Sequence, residues 1–110
     1  ELGGAAVEGM VFEQYFNRFD AGAKYQAFAK AYQERFKSAP GFSALLGFDS
    51  ARVVIAALGR TDKHEQVKSA IVDIQSFEGA QDPVLIDRFG DAQRAVYYGQ
   101  VRNGKFAKPE

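Results

Sequence analysis

Residues 77–106 are FEGAQDPVLIDRFGDAQRAVYYGQVRNGKF, and this stretch decides the fold because short apolar segments alternate in it with residues that favour turns. Residues 83–87 and 95–101 are rich in Val, Leu, Ile and Tyr, and we predict that each forms a strand. Between them, Phe-Gly-Asp at 89–91 predicts a turn, since Gly supplies positive φ at no steric cost. Asn-Gly at 103–104 predicts a tight reversal, because this pair suits a type I′ hairpin. The end of the chain is therefore predicted to be a strand pair.

Earlier in the chain, the pattern predicts one strand and an aromatic helix. Residues 10–14 form a short run with β-branched and aromatic members, which is typical of a strand. From Ala23 onward, aromatic residues recur every three or four positions with charged residues between them, namely at Tyr25, Phe28, Tyr32 and Phe36. This period predicts an amphipathic α-helix with one aromatic face. Pro40 ends the helix, because proline disfavours helical geometry in the residue before it.

Residues 43–58 predict a second helix of a different kind. This segment is apolar on almost every side, and Asp49 and Arg52 are its only charged residues. A helix of this composition needs cover on most of its surface. Two flanking helices and a hairpin give too little cover, so we expect an exposed apolar patch that favours dimerisation or domain swapping. Gly59 is predicted to end the helix.

A third helix is predicted to begin at Asp62. Asp62 can cap the helix, and Glu65 three residues later completes an acidic variant of the capping box. Its apolar side is formed by Val67, Ala70, Ile71 and Ile74. We predict that the helical run ends at residues 77–79, Phe-Glu-Gly.

Composition excludes several classes of function. Fourteen Lys and Arg residues balance fourteen Asp and Glu residues, so no excess charge favours nucleic acid or an anionic membrane surface. There is no cysteine, and no apolar run approaches the ~20 residues that span a bilayer. No secretory leader opens the sequence, so we expect that an export signal was removed or never included.

No constellation of catalytic or metal-binding residues is recognisable. The single histidine, His64, is predicted to lie on the surface and to bind no metal. The acidic residues near the end are interpreted as turn formers rather than calcium ligands, namely Glu78, Asp82, Asp87 and Asp91. There is no G-x-S-x-G, no P-loop and no carboxylate pair at a familiar spacing. The residues themselves therefore indicate neither an enzyme active site nor a cofactor.

Four segments in order carry a resemblance to a known family. Residues 1–12, ELGGAAVEGMVF, resemble its motif E-L-G-G-x-A-x-E-G-V-V-F, and residues 24–32 resemble its K-Y-x-A-F-x-x-A-Y helix. Residues 47–51, GFDSA, stand where its Y-D-A motif begins a buried helix, with Phe in place of Tyr. Residues 77–106 resemble its terminal F-x-G, F-D-x-x-G-D and G-K-F sequence. Together they resemble type I periplasmic solute-binding proteins, the branched-chain amino-acid-binding group of ABC importers.

The resemblance implies an α/β fold, a fragment of a bilobal type I periplasmic-binding-protein fold that contains a strand, three helices and a C-terminal strand pair. Residues 1–110 are then expected to be one incomplete domain from the C-terminal third of a larger protein. That portion would supply outer helices and crossing strands of the first lobe and one wall of the cleft between the lobes.

The resemblance also implies a function. Such proteins close around a small solute and deliver it to an ABC permease in the membrane. We therefore expect a binding module and not an enzyme, with an amino acid or similar carboxylate as ligand and a periplasmic or lipid-anchored extracellular location. A ligand-sensing regulatory or receptor domain of the same fold is the first alternative, because fold does not fix function. A small enzyme with an unrecognised site is the second.

Two candidate ligand-binding residues follow the first predicted strand. In the family the chain crosses between the lobes at this point, so Gln14 and Tyr15 are candidates for the edge of the cleft. The alternative is an ordinary strand end with an exposed Gln and a half-buried Tyr.

Three more candidates belong to the predicted buried helix. Phe42 and Ser43 open it, where they provide either an apolar wall beside a helix N-terminus or a hydrophobic staple with an N-cap. Asp49 is an acid in an apolar helix, which indicates either a ligand-binding group or a paired charge, with Arg52 as one neighbour.

Overall fold

The computed structural model describes residues 3–109, so Glu1 and Leu2 of the first family motif lie outside the described residues. Within this range the chain forms three α-helices, six short strands and two 3-10 segments, in the order Gly4–Val7 (3-10), β1 (Val11–Gln14), α1 (Ala23–Phe36), α2 (Phe42–Leu58), His64–Gln66 (3-10), α3 (Val67–Ile74), β2 (Ser76–Phe77), β3 (Val84–Ile86), β4 (Ala92–Gln93), β5 (Tyr97–Arg102) and β6 (Lys105–Ala107). The residues divide into two compact units, which are described separately. The first contains the described residues up to Phe19 and from Val96 onward, and the second contains Asp20–Ala95.

The first unit is built on an antiparallel sheet in the order β1-β5-β6. Phe12 of β1 pairs with Gly99 of β5, and an added Cβ at Gly99 would lie 2.3 Å from the Phe12 ring. The ring of Phe106 in β6 meets the Phe12 ring edge to face, with 5.1 Å between centroids. Gly99 therefore leaves room for the Phe12 ring to lie over the central strand.

The hairpin between β5 and β6 turns at Asn103 and Gly104, as the sequence predicts. Both residues have positive φ, 51° and 69°, as a type I′ turn requires. The Glu8 carboxylate accepts hydrogen bonds from both turn amides, at 2.6 Å from Asn103 N and 3.0 Å from Gly104 N. The strand before the turn begins at Tyr97 instead of residue 95.

The second unit packs α2 and α3 against a small antiparallel sheet in the order β2-β3-β4. Buried Val53 of α2, Phe77 of β2 and Val84 of β3 form its core. Three half-buried isoleucines pack around that core, namely Ile71, Ile74 and Ile86. The turn between β3 and β4 is held by the Asp87 carboxylate, which accepts from the amides of Phe89 and Asp91 at 2.8 and 3.0 Å.

The first two helices begin and end close to their predicted positions. Helix α1 places its aromatic stripe along one side, and Phe28 from this stripe contacts Phe48 of α2 with 4.8 Å between ring centroids. Lys37 ends α1 in the left-handed region, with φ of 58°. Helix α2 buries residues at four-residue spacing, namely Leu45, Asp49, Val53 and Ala57. This spacing places them on one face of the helix.

The outer side of α2 is exposed and apolar, as the composition of the helix predicts. Ile55 is 67% exposed, Leu58 51% and Val54 42%. Leu58 lies four residues after Val54 and three after Ile55, so its side chain is a neighbour of both. In the described part of the chain, no helix is long and apolar enough to cross a membrane.

Three local predictions are wrong. The third helix is α3, which begins at Val67 without a side-chain cap, because a 3-10 turn at His64–Gln66 separates it from Asp62. Phe77 does not end this helix but lies in strand β2, and its ring is buried in the core. The two strands of the predicted C-terminal pair, β3 and β5, belong to separate sheets. Strand β3 pairs with β2 and β4, and β5 pairs with β1 and β6.

Candidate functional site

Gln14 and Tyr15 lie at the end of β1, in the first unit. Gln14 is half-buried and pairs across the sheet with Tyr97. Because paired residues share a face, Gln14 and Tyr97 lie on the same side of the sheet as Phe12. Tyr15 follows the strand and is 46% exposed. The two candidates therefore offer an amide on the packed face and a phenol next to it at the strand end.

Phe42 and Ser43 form the first turn of α2, in the second unit. Gly41 is the N-cap residue and no side chain caps the helix, so the N-cap role for Ser43 is wrong. Both side chains are exposed, Phe42 by 47%. The first backbone N–H groups of a helix have no intrahelical partner and favour a negative charge. This helix end thus combines an exposed aromatic ring, a hydroxyl and amide donors.

Asp49 is the one charged side chain that is fully buried among the described residues, with 1% exposure. One carboxylate oxygen, Oδ2, accepts a hydrogen bond from Arg94 Nη1 at 2.8 Å. The other, Oδ1, accepts from the Ala80 amide at 2.7 Å. The predicted pairing of Asp49 is thus confirmed, but its partner is Arg94, while Arg52 binds Glu78 at 3.2 Å.

The segment that carries Ala80 turns so tightly beside Asp49 that it depends on a glycine at position 79. A Cβ added to Gly79 would lie 2.2 Å from the Asp82 carbonyl oxygen and 3.1 Å from Asp49 Oδ2. A Cβ atom cannot lie 2.2 Å from an oxygen to which it is not bonded, so a larger residue would force the backbone to shift. Gly79 therefore permits the contact between the Ala80 amide and the carboxylate.

The next residue of this segment, Gln81, forms a second polar contact. Gln81 Nε2 donates to Asp20 Oδ2 at 3.2 Å. The other Asp20 oxygen accepts from the Gly22 amide at 2.7 Å, and the Asp20 carbonyl accepts from Gln26 Nε2 at 2.6 Å. We call residues 79–82 with Asp49, Arg94 and Asp20 the polar node.

The structure brings together only some of the residues that the sequence predicts. Phe42 and Ser43 share one helix end, but Asp49 lies about two turns further along α2 with both oxygens engaged. The geometry favours a structural role for Asp49, and its role in ligand binding stays a prediction. The sequence analysis missed Arg94. The signal for it was chemical rather than local, since a buried acid requires a cation.

The remaining polar candidates show no site. His64 has a side chain that is 99% exposed beside Glu65. In residues 3–109, no group of three or more His, Asp or Glu side chains is arranged to hold a metal ion.

A family comparison decides what these elements belong to. The sequence model of the periplasmic binding protein family matches residues 1–105, almost the whole chain. The chain belongs to the periplasmic binding protein family. The resemblance in the sequence is thereby confirmed. No curated protein matches the chain in a sequence search.

Solved structures of similar fold support the family assignment. A leucine-binding protein from Thermotoga maritima is 28% identical, with a TM-score of 0.82, over 99% of this chain and 32% of its own. A substrate-binding protein from Streptococcus pneumoniae in complex with isoleucine is 25% identical, with a TM-score of 0.77, over 87% and 28%. A solute-binding protein from Rhodopseudomonas palustris in complex with 3,4-dihydroxybenzoic acid is 25% identical, with a TM-score of 0.72, over 94% and 30%. The chain thus spans about a third of the length of these neighbours.

Proposed function

We propose that the chain is part of the substrate-binding component of an ABC importer, and that this component binds amino acids or similar small carboxylates in a cleft between two lobes. The observation that carries the proposal is the family match over residues 1–105. On this proposal the protein is not an enzyme, acts outside the cytoplasm and delivers its solute to a membrane permease.

The ligands of the neighbours support the class of solute. Leucine, isoleucine and 3,4-dihydroxybenzoic acid each combine a carboxyl group with an apolar body. A site for such ligands needs N–H or hydroxyl donors for the carboxylate and an apolar wall for the body. Solutes with both features are therefore the first to test.

Four exposed or half-buried residues have the matching chemistry. At the first turn of α2, Phe42 can supply the apolar wall, and Ser43 with the free backbone amides can donate to a carboxylate. At the end of β1, Gln14 and Tyr15 can donate hydrogen bonds. We propose these four as ligand-binding residues. Asp49 is left out because its oxygens already bind Arg94 and Ala80.

The experiment is a thermal-shift titration of the full-length gene product. L-Leucine, L-isoleucine and benzoate are the test solutes, and leucinol, which lacks the carboxylate, is the matched control. A ligand that binds only the folded state stabilises it by about 2.7 kcal/mol at a hundred times its Kd. We expect the melting temperature to rise with the concentration of one or more carboxylates and not with leucinol. Equal effects of leucine and leucinol, or no effect of any solute, would contradict the proposal.

The alternative, a ligand-sensing regulatory domain, predicts the same binding but a different consequence. Deleting the gene should abolish high-affinity uptake of the radiolabelled solute if the protein serves an importer. If uptake persists while solute-dependent gene expression is lost, the sensor is correct and the importer is wrong.

A further inference from the structure

The chain passes between its two units at two places, after Phe19 and after Ala95. We call these the entry and the exit of the second unit. Asp20 is the first residue after the entry, and Arg94 is the last but one before the exit. The two residues are far apart in sequence, yet the adjacent residues Ala80 and Gln81 connect them. Ala80 and Arg94 both donate to Asp49, and Gln81 donates to Asp20.

The exit is held by a buried ion pair. The Arg94 side chain is 18% exposed and donates to Asp49, which is 1% exposed. Hydrogen bonds between two ionised groups are stronger than neutral ones, and in a buried site they are little weakened by water or salt. The ion pair between Arg52 and Glu78 is different, because those side chains are 41% and 67% exposed. Of these two ion pairs, the buried one between Arg94 and Asp49 is therefore the one that can hold the backbone at the exit in place.

The entry is held by Gln81, the residue that follows Ala80. Ala80 donates its amide to Asp49, and Gln81 donates its side-chain amide to Asp20. Asp20 in turn accepts from the Gly22 amide and through its carbonyl from Gln26, at the start of α1. Because Ala80 and Gln81 are adjacent, a shift of this segment changes the contacts at the entry and at the exit together.

We propose that the polar node couples the entry and the exit of the second unit, with Asp49, Gln81 and Arg94 as positioning residues that fix both chain connections at once. The link to solute binding rests on the proposed function. In a binding protein that changes shape around its solute, the connections between compact units set which arrangements are accessible. The node then tunes solute affinity through these connections.

The test is amide hydrogen exchange on this chain, comparing Arg94→Met and Gln81→Ala with the control Arg52→Met. Met keeps the aliphatic length of Arg without its charge, and Arg52 lies on the same helix as Asp49 but outside the node. We expect Arg94→Met to accelerate exchange at least tenfold at residues 92–95 and also at Gly22, which Arg94 does not contact. We expect Gln81→Ala to do the same in the reverse direction, from the entry to the exit.

Two results would overturn the coupling. One is acceleration confined to the side of the substitution. The other is uniform acceleration throughout α2 and α3, which would mean that the node only stabilises the second unit. Arg52→Met should leave both connections within twofold of the wild type.

The solute experiment separates this inference from the proposed function. In the full-length gene product, Arg94→Met should change the Kd of the best solute at least fivefold, and Arg52→Met less than twofold. An unchanged Kd for Arg94→Met would refute the link to affinity. Failure of the unmodified protein to bind any solute would instead refute the proposed function, while the exchange experiment would still decide the coupling.

Discussion

At the scale of the residue, Asp49 shows how burial selects a partner. Asp49 and Arg52 stand three positions apart on one helix, which suits an exposed ion pair. The structure buries Asp49 and leaves Arg52 partly exposed, so the two side chains bind different partners. Asp49 takes Arg94, 45 residues away, because an unpaired buried carboxylate would be far costlier than an unpaired surface one.

Gly79 and Gly47 give a matched pair of substitutions at this scale. We expect Gly79→Ala to lower the free energy of unfolding by about 1–3 kcal/mol, because its Cβ would lie 2.2 Å from a backbone oxygen. Gly47→Ala, in α2 with nothing within 4 Å of the added Cβ, should raise it by about 0.5–1 kcal/mol. Urea unfolding measures both. A Gly79→Ala variant as stable as the wild type would contradict the tight backbone turn of residues 79–82.

At the scale of the element, α2 has one buried face and one exposed apolar face, and its composition alone does not distinguish them. Leu45, Val53 and Ala57 are buried with Asp49 on one face. The face that carries Val54, Ile55 and Leu58 is exposed. The first face belongs to the core of the second unit, and the second is an apolar patch of the kind that associates with another surface.

Ile55 and Val53 test this division of the helix. Ile55→Lys should change the free energy of unfolding by less than about 0.5 kcal/mol, since Ile55 is 67% exposed. We also predict that copies of the chain associate through this patch, so Ile55→Lys should raise the concentration at which they associate, which sedimentation velocity measures. Val53→Ala, at a buried position, should cost about 1–3 kcal/mol without changing association. If Ile55→Lys leaves the association unchanged, the patch is not the surface through which copies of this chain meet.

At the scale of the whole molecule, the chain is a member of its family that spans 28–32% of the length of three solved relatives. Its candidate ligand-binding residues are divided between two compact units, with Gln14 and Tyr15 in the first and Phe42 and Ser43 in the second. The described residues place no free, buried acid beside either pair. Within residues 3–109, these two pairs thus offer donors and an apolar wall but no buried carboxylate for the ammonium group of an amino acid.

We therefore predict that these 110 residues alone bind no amino acid measurably. Isothermal titration calorimetry of the chain with L-leucine and L-isoleucine should give only heats of dilution. The full-length gene product, titrated with the same solutes, is the positive control. Saturable binding to the isolated chain with a defined stoichiometry would show that it contains a complete site.

The sequence by itself determined the features that depend on neighbouring residues. The bounds of α1, the start of α2 within one residue and the Asn103-Gly104 turn follow from periodicity, proline and glycine, which act over a few positions. The order of its motifs determined the family. The uncapped start of α3 shows the limit of such rules, because the 3-10 turn before it displaced Asp62 from the capping position.

Only the tertiary structure decided which distant groups meet. Strand partners depend on how the chain returns after long intervals, so the sequence does not distinguish one strand pair from two sheets. The same holds for Arg94 as the partner of Asp49 and for Gly79 as the residue that permits the tight turn of residues 79–82. Burial is the physical reason in each case. A buried polar group without a partner costs its full desolvation free energy, so the fold must bring distant partners together.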